Sequence, residues 1–200
     1  MYLPDAANAE ALSEMAENAE QCARLLATAD VDCVSYACTT GSMLEGPGYD
    51  KDIEARLEAV SDVPCVATAA AVRRAFDQLG INRLAIATPY LDELNEIETE
   101  FLEANGITIT TIEGLSLETD TEIGELTAEM AYTQAKSVYQ KDVDGVFISC
   151  TNYRTFEIIE RLEADLGVPV VTSNQATLWN SLQKMDINTS ELSLGTLFEK

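Results

Sequence analysis

Two cysteines lie in near-copies of one motif, about half the chain apart. The first copy reads Asp30-Val-Asp-Cys-Val-Ser-Tyr-Ala-Cys38-Thr-Thr, and the second reads Asp142-Val-Asp-Gly-Val-Phe-Ile-Ser-Cys150-Thr-Asn. In each copy an acidic turn precedes an apolar run, and the Cys-Thr pair stands where a strand should end. Because thiols can add to carbon or transfer protons, the repeat predicts two cysteines that face one small molecule from opposite sides.

The residues around these cysteines suit an anionic ligand. Each thiol precedes a predicted helix, whose dipole is expected to lower the thiol pKa and whose first amides can bind a carboxylate. The chain contains no histidine, so acid–base work falls to Cys, Tyr, Lys or carboxylate groups. The residues leave three interpretations open. The thiols act as base and acid, or one adds covalently while the other supplies a proton, or both merely pack or form a redox pair.

The remaining cysteines and the missing histidines argue against a metal site. Cys22, Cys33 and Cys65 fall on apolar stripes or strands and are expected to be small buried hydrophobic residues. No CxxC pair is present, so zinc is not expected. An odd number of cysteines also argues against a disulfide framework.

Alternating strands and helices must position the thiols. Strands are predicted over 31–37, 64–68, 83–88, 107–112, 145–149 and 168–172, and helices over 6–28, 50–60, 69–79, 91–105, 121–140, 153–166 and 174–184. This order predicts an α/β fold with parallel sheet covered on both faces, in which ligands bind at the carboxyl ends of the strands. Thr88-Pro89-Tyr90 ends at the same edge as the two Cys-Thr pairs, so three segments converge there.

The repeat divides the chain into two pseudo-symmetric halves. Residues 1–75 form the first half with Cys38, residues 76–185 the second with Tyr90 and Cys150, and residues 186–200 a polar tail. A strand–helix–strand unit precedes the second cysteine motif, whereas only a helix precedes the first. The first half is therefore predicted to lack its leading strand, either because the chain starts late or because this half is reduced.

The composition limits the partners. Thirty-five acidic residues face 12 basic ones, for a net charge of −23, which repels nucleic acid and anionic membranes. The acidic residues are dispersed along the predicted helices. This distribution favours a protein adapted to high salt over one with an ordinary solvated acidic surface. No apolar run reaches the 18 residues of a membrane span, and the N-terminus lacks a basic signal region, so a cytoplasmic protein is expected. The oligomeric state stays open, although sheets of this type commonly form homo-oligomers.

Four segments together resemble the maleate cis–trans isomerase and arylmalonate decarboxylase family of the aspartate/glutamate racemase superfamily. They are Ala37-Cys38-Thr39-Thr40-Gly41-Ser42, Ala87-Thr88-Pro89-Tyr90, Ser149-Cys150-Thr151-Asn152-Tyr153-Arg154 and Ser173-Asn174-Gln175-Ala176-Thr177-Leu178-Trp179. The resemblance implies two Rossmann-like halves with the site between them, and a cofactor-independent enzyme for a small dicarboxylate.

The resemblance also implies a role for each site residue. Cys38 would add to the double bond of maleate, the succinyl-like adduct would rotate, and elimination would give fumarate. Cys150 would handle the proton during addition and elimination. The carboxylate oxygens would be held by Tyr90 and Asn152, assisted by the amides or hydroxyls of Thr39 and Thr151.

Differences within the superfamily favour the isomerase over its relatives. Arylmalonate decarboxylase has glycine at the place of Cys38, and amino-acid racemases usually carry Asn-Thr after the first thiol and a nearby histidine. The chain departs from the family in lacking the opening strand with its substrate-binding asparagine, and in reading Asp120-Thr121 for Asp-Asn. Two alternatives therefore stay open. One is a racemase or decarboxylase of a related acid, and the other is a non-catalytic remnant or thiol redox switch.

Overall fold

The computed structural model describes residues 5–189 and 191–200, which form parallel sheets in two groups. The first sheet has the order β1-β2 and the second the order β4-β3-β5-β6. The strands are β1 (Val34–Tyr36), β2 (Cys65–Ala67), β3 (Arg83–Thr88), β4 (Thr108–Gly114), β5 (Gly145–Ile148) and β6 (Val170–Thr172). The predicted α/β class with parallel sheets is confirmed.

Nine α-helices lie in the described ranges, and they cover the sheets. They are α1 (Ala9–Glu17), α2 (Ala19–Ala27), α3 (Tyr49–Ser61), α4 (Thr68–Leu79), α5 (Asp92–Ala104), α6 (Asp120–Gly124), α7 (Ala128–Val138), α8 (Ile159–Leu166) and α9 (Ser173–Lys184). The central strands β3 and β5 and the edge strand β6 are almost wholly buried, as expected for parallel strands with helices on both faces.

The two cysteine motifs occupy equivalent places in the two sheets. β1 pairs with β2 as β5 pairs with β6, and a helix follows each strand. β5 is also paired on its other side with β3, whereas β1 pairs only with β2 among the described residues. The first sheet therefore has no counterpart of β3 and β4 in this part of the chain. The exact division at residues 75 and 185 stays a prediction.

Helices α4 and α9, which follow β2 and β6, pack against each other and join the two halves. Ala71 of α4 is completely buried and belongs to the same core cluster as Ala176 of α9. Arg74 of α4 makes paired 2.7 Å contacts with both carboxylate oxygens of Glu54 on α3, and a further 2.7 Å bond to Asn180 on α9. A bidentate guanidinium–carboxylate pair fixes geometry as well as charge, so this group holds the three helices in register.

Two predicted helices are interrupted. The single helix predicted over 6–28 is wrong, because α1 and α2 are separated at Asn18, whose side chain donates to the carbonyl of Glu14 and competes with helical bonding. Leu26 of α2 is exposed. Cys22 and Cys33, expected to be buried, are only half-buried, whereas Cys65 is buried as expected. The helix predicted over 121–140 is also two helices, since Thr119 caps α6 and Thr127 caps α7.

Two further segments differ from the sequence-based expectation. The helix predicted from residue 153 begins as a 3₁₀ turn at Phe156–Ile158 and becomes α-helical only at Ile159. The C-terminal segment is more than a polar tail, because Leu197 and Phe198 are fully buried in the core. Thr196 anchors this segment by donating to Glu163. No helix in the described part of the chain is long and apolar enough to cross a membrane.

Candidate active site

One cavity of about 250 Å³ lies at the carboxyl ends of β1, β3 and β5. All six residues singled out from the sequence line it: Cys38, Thr39, Tyr90, Cys150, Thr151 and Asn152. Its volume is below the range of about 300–1,000 Å³ that is usual for drug-sized ligands, so it suits a small molecule. The structure thus brings together three segments that are far apart in the sequence.

Sequence reasoning gave no role to several other lining residues. Asp120 and Asn174 are polar, and Leu12, Met15 and Leu94 form an apolar wall. Asp120 is the single charged residue of the lining, and no lysine or arginine lines the described cavity. The described residues also contain no group of three or more His, Cys, Asp or Glu side chains that could hold a metal ion.

The Cys38 thiol is held by the turn that follows it. The backbone N–H of Gly41 is directed at this sulfur and lowers its pKa. A β-carbon at Gly41 would lie only 2.7 Å from Cys38 Sγ and 3.1 Å from the Tyr36 hydroxyl. A β-carbon essentially never approaches another atom to 2.7 Å, so the turn requires glycine for the thiol to occupy its position.

Cys150 has an unusual backbone conformation. Its φ is +102°, a region that residues other than glycine rarely adopt and that costs about 1–3 kcal/mol. The N–H of Asn152 donates to Cys150 Sγ over 3.4 Å, and the neighbouring Tyr90 hydroxyl also lowers the thiol pKa. The strained backbone therefore places the sulfur next to hydrogen-bond donors that favour its thiolate form.

Burial outweighs these donors at both thiols. It raises the pKa of Cys38 to about 12 and that of Cys150 to about 11, and the charge of Asp120 adds to both shifts. The expectation that helix dipoles would lower both pKa values is therefore wrong. Only a 3₁₀ turn (Thr40–Ser42) follows Cys38, and α8 begins several residues after Cys150, so neither thiol lies at the start of a long helix.

Ser173 connects the two thiol-bearing loops. Its buried hydroxyl oxygen accepts a 2.8 Å bond from the Thr39 hydroxyl and a 3.1 Å bond from the N–H of Cys150. The Thr151 hydroxyl adds a second link by donating to the carbonyl of Ala37 over 2.9 Å. The sequence pointed to Ser173 only as part of a segment that resembles the family and assigned it no role, although it stands at the end of β6, where the repeat places the edge of the site.

The polar side chains predicted to bind substrate are not equally free. The hydroxyls of Thr39 and Thr151 make the loop contacts described above, and the Asn152 amide donates to the carbonyl of Asp120 over 2.6 Å. Tyr90 is buried, and burial raises its pKa well above the usual value, so its hydroxyl keeps its proton. The hydrogen bonds of residues 5–189 and 191–200 leave the backbone N–H groups of Thr39, Thr40 and Thr151 unused.

Comparison with known proteins identifies the family. The family model described as arylmalonate decarboxylase matches residues 5–198. The chain belongs to this family. It is similar to the maleate isomerase of Geobacillus stearothermophilus, with 27% identity over 194 residues, covering 94% of this chain and 77% of that one. It is also similar to the arylmalonate decarboxylase of Bordetella bronchiseptica, with 26% identity over 163 residues, covering 80% and 68%.

Solved structures of family members match the fold closely. The maleate isomerase Iso of Pseudomonas putida S16 in a variant bound to maleate gives a TM-score of 0.94 at 26% identity, covering 98% of this chain and 80% of that one. A Nocardia farcinica maleate cis-trans isomerase, a Cys-to-Ser mutant with a covalently bound succinylcysteine intermediate, gives 0.93 at 26% identity, covering 97% and 82%. These matches confirm the fold and make the chain an enzyme of this family.

Replacing Ser173 by alanine should destabilise the protein by about 1–3 kcal/mol, because two buried donors lose their shared acceptor. Urea unfolding of Ser173→Ala against the unmodified protein measures this change. Ser137→Ala, which removes an exposed hydroxyl from α7, serves as the control and should stay within about 0.5 kcal/mol. Equal stabilities of the two variants would contradict the bridging role of Ser173.

Replacing Gly41 by alanine should displace the Cys38 thiol and slow its alkylation, since the added carbon would lie only 2.7 Å from the sulfur. The rate of iodoacetamide labelling at Cys38, followed by mass spectrometry near pH ~9, measures the effect, because the thiolate is the reacting form. Gly124→Ala is the matched control. Its β-carbon lies 3.5 Å from the Asn152 amide, an ordinary contact, and labelling should be unchanged.

Proposed function

We propose that this protein catalyses the cofactor-independent cis–trans isomerisation of a small dicarboxylate of the maleate type. The observation that carries the proposal is the pair of cysteines, one from each half, that line a single small cavity. Relatives named as maleate isomerases, and the succinylcysteine intermediate in one of their structures, support it. The proposal assigns Cys38 as the nucleophile and Cys150 as the proton donor and acceptor.

Neutral hydrogen-bond donors would bind the two carboxylates of the substrate. The Tyr90 hydroxyl remains protonated, and the unused N–H groups of Thr39, Thr40 and Thr151 stand beside the two thiols. A hydrogen bond from a neutral donor to a charged carboxylate is stronger than one between two neutral groups. Thr39 and Thr151 would therefore assist through their backbone, whereas their hydroxyls hold the loops. Asn152 would assist if its amide turned from the Asp120 carbonyl.

The reaction then needs only the two thiols. After Cys38 has lost its proton to water, its thiolate adds to one alkene carbon, and the other carbon takes the proton of Cys150. The product is a succinyl thioether, whose central bond is single and can rotate by half a turn. The Cys150 thiolate removes the proton again, the carbon–sulfur bond breaks, and fumarate leaves with the Cys38 thiolate restored.

Decarboxylation of a substituted malonate is a second candidate. The apolar wall of Leu12, Met15 and Leu94 could hold an apolar substituent, and a family member is named arylmalonate decarboxylase. That reaction requires one thiol to protonate the carbanion left by carbon dioxide. Release of carbon dioxide from phenylmalonate, together with deuterium incorporation from heavy water, would favour this candidate over isomerisation.

Incubation of Cys150→Ser with maleate should trap a covalent adduct on Cys38. Water or the serine hydroxyl can supply the proton that completes addition, but no Cys150 thiolate is present to remove a proton and start elimination. Intact-mass and peptide analysis should show the addition of one maleic acid at Cys38 and strongly reduced fumarate formation. Cys38→Ser should form no adduct and no fumarate. Cys22→Ser, which changes a half-buried thiol of α2 outside the cavity, should retain full activity. Full activity of Cys38→Ser would exclude the covalent mechanism.

We further propose that the acidic surface adapts the protein to high salt. With a net charge of −23, the folded chain repels itself at low ionic strength, and at ~1 M salt the Debye length falls to about 3 Å. The melting temperature should therefore rise as potassium chloride is added. Sucrose at equal osmolarity is the control, since it does not screen charge. An equal rise in sucrose would argue against an electrostatic origin.

A further inference from the structure

Glu98 is a buried carboxyl group directly behind the candidate site. It lies on the inner face of α5 and has no exposed surface. Its Oε2 accepts a 2.9 Å hydrogen bond from the Ser149 hydroxyl. Its Oε1 is also buried and finds no hydrogen-bond partner among the described residues. Leaving such a group unpaired is costly, so its presence calls for an explanation beyond packing.

A short covalent and hydrogen-bonded path leads from Glu98 to the second thiol. Ser149 immediately precedes Cys150, and its N–H donates to the carbonyl of Ala87 over 2.9 Å, which ties the end of β5 to β3. The next residue is the strained Cys150, with its φ of +102°. The Glu98–Ser149 bond therefore supports the backbone segment that fixes the orientation of the Cys150 sulfur.

No cation compensates Glu98. It takes part in none of the ion pairs within the described residues. Of the elements packed on α5, β4 carries only the exposed Glu113. The next strand of the sheet, β3, has one cation, Arg83, which lies at its exposed end and pairs with Asp142. The 3₁₀ turn Thr40–Ser42 has no ionisable group. In the site, the Tyr90 phenol is close enough to Glu98 to respond to its charge. The acids Glu93, Glu96 and Glu100 of α5 are exposed.

Burial has a clear electrostatic consequence here. It raises the pKa of Glu98 to about 8, against a smaller lowering by the Ser149 hydroxyl. The carboxyl is therefore neutral at neutral pH. When it ionises, its charge raises the pKa of the adjacent Tyr90 phenol. The same negative charge opposes a Cys150 thiolate and a substrate dianion in the cavity.

We propose that Glu98 is a positioning residue that supports Cys150 through Ser149 as a neutral acid, and that its ionisation reduces turnover. The inference rests on the proposed isomerase function, because it assigns Cys150 a thiolate during each cycle. In the neutral form Glu98 adds no negative charge to that of Asp120 in the site. In the ionised form an uncompensated charge lies behind the site and disfavours the intermediate that carries the Cys150 thiolate.

The pH profile of maleate isomerisation tests the inference. In the unmodified protein, log(kcat/KM) should bend downward near pH 8, losing about one unit of slope, because one ionisation removes the active form. Glu98→Gln should lack this bend and keep its rate above pH 8. Glu100→Gln removes an exposed charge from the same helix and should retain the bend. A bend that persists unchanged in Glu98→Gln would overturn the inference.

A second variant addresses the Ser149 link. Ser149→Ala removes the hydroxyl that lowers the pKa of Glu98, so the bend should move to higher pH while kcat falls because Cys150 is less well supported. These two effects distinguish the roles of Ser149, since a purely structural role would lower kcat without shifting the pH of the bend. An unshifted bend in Ser149→Ala would contradict the assignment of the titrating group to Glu98.

A measurement without substrate separates this inference from the proposed function. The folded state holds the Glu98 proton more tightly than the unfolded chain, whose carboxyl has its ordinary pKa of 4.5. Stability conferred by Glu98 is thus present below that value and is lost as pH rises to about 8. The melting temperature of Glu98→Gln relative to the unmodified protein should rise across this window, whereas that of Glu100→Gln should not. Absence of maleate turnover in every protein, with this shift intact, would reject only the isomerase function, and absence of the shift would reject the neutral Glu98.

Discussion

The hydrogen bonds that meet at the Ser173 hydroxyl are the constraint on which the site depends. The two thiols belong to different sheets, and each follows a strand of its own half. Ser173 binds the hydroxyl of Thr39, next to the first thiol, and the N–H of Cys150 itself. Because Ser173 begins α9, and α9 packs on α4, the position of both thiols is coupled to the junction between the halves.

The chemistry of the cavity follows from its lack of positive charge. Histidine is absent from the chain, and neither lysine nor arginine lines the cavity within the described residues. Burial therefore shifts Cys38, Cys150, Tyr90 and Glu98 all in the same direction, toward the protonated form. Apart from Asp120, the acids of the site are neutral, and neutral acids can donate hydrogen bonds to a dicarboxylate and still exchange protons with it. The strongly acidic exterior contrasts with this neutral interior.

Pseudo-symmetry places the thiols, but the halves do not contribute equally. The second half supplies β3 and β4 in addition to its motif, and with them Tyr90 and the helix that carries Glu98. Cys150 is consequently surrounded by Tyr90, Asn152 and the Ser149–Glu98 pair. Cys38 relies mainly on the Gly41 turn. This inequality agrees with different roles for the two thiols, one as nucleophile and the other as proton carrier.

The amino-acid sequence by itself determined the alternation of strands and helices along the chain, the parallel pairing and the edge where Cys38, Tyr90 and Cys150 meet. These features follow from local patterns, since each apolar run, each cap and each copy of the repeated motif involves residues that are close together in the sequence. Only the tertiary structure decided the thiol pKa values, the bridge at Ser173, the environment of Glu98 and the burial of Leu197 and Phe198. Burial and hydrogen bonds between residues far apart in the chain produce these properties. The helix dipole inferred from sequence was outweighed because desolvation depends on the whole fold, whereas the dipole argument considers only the next few residues.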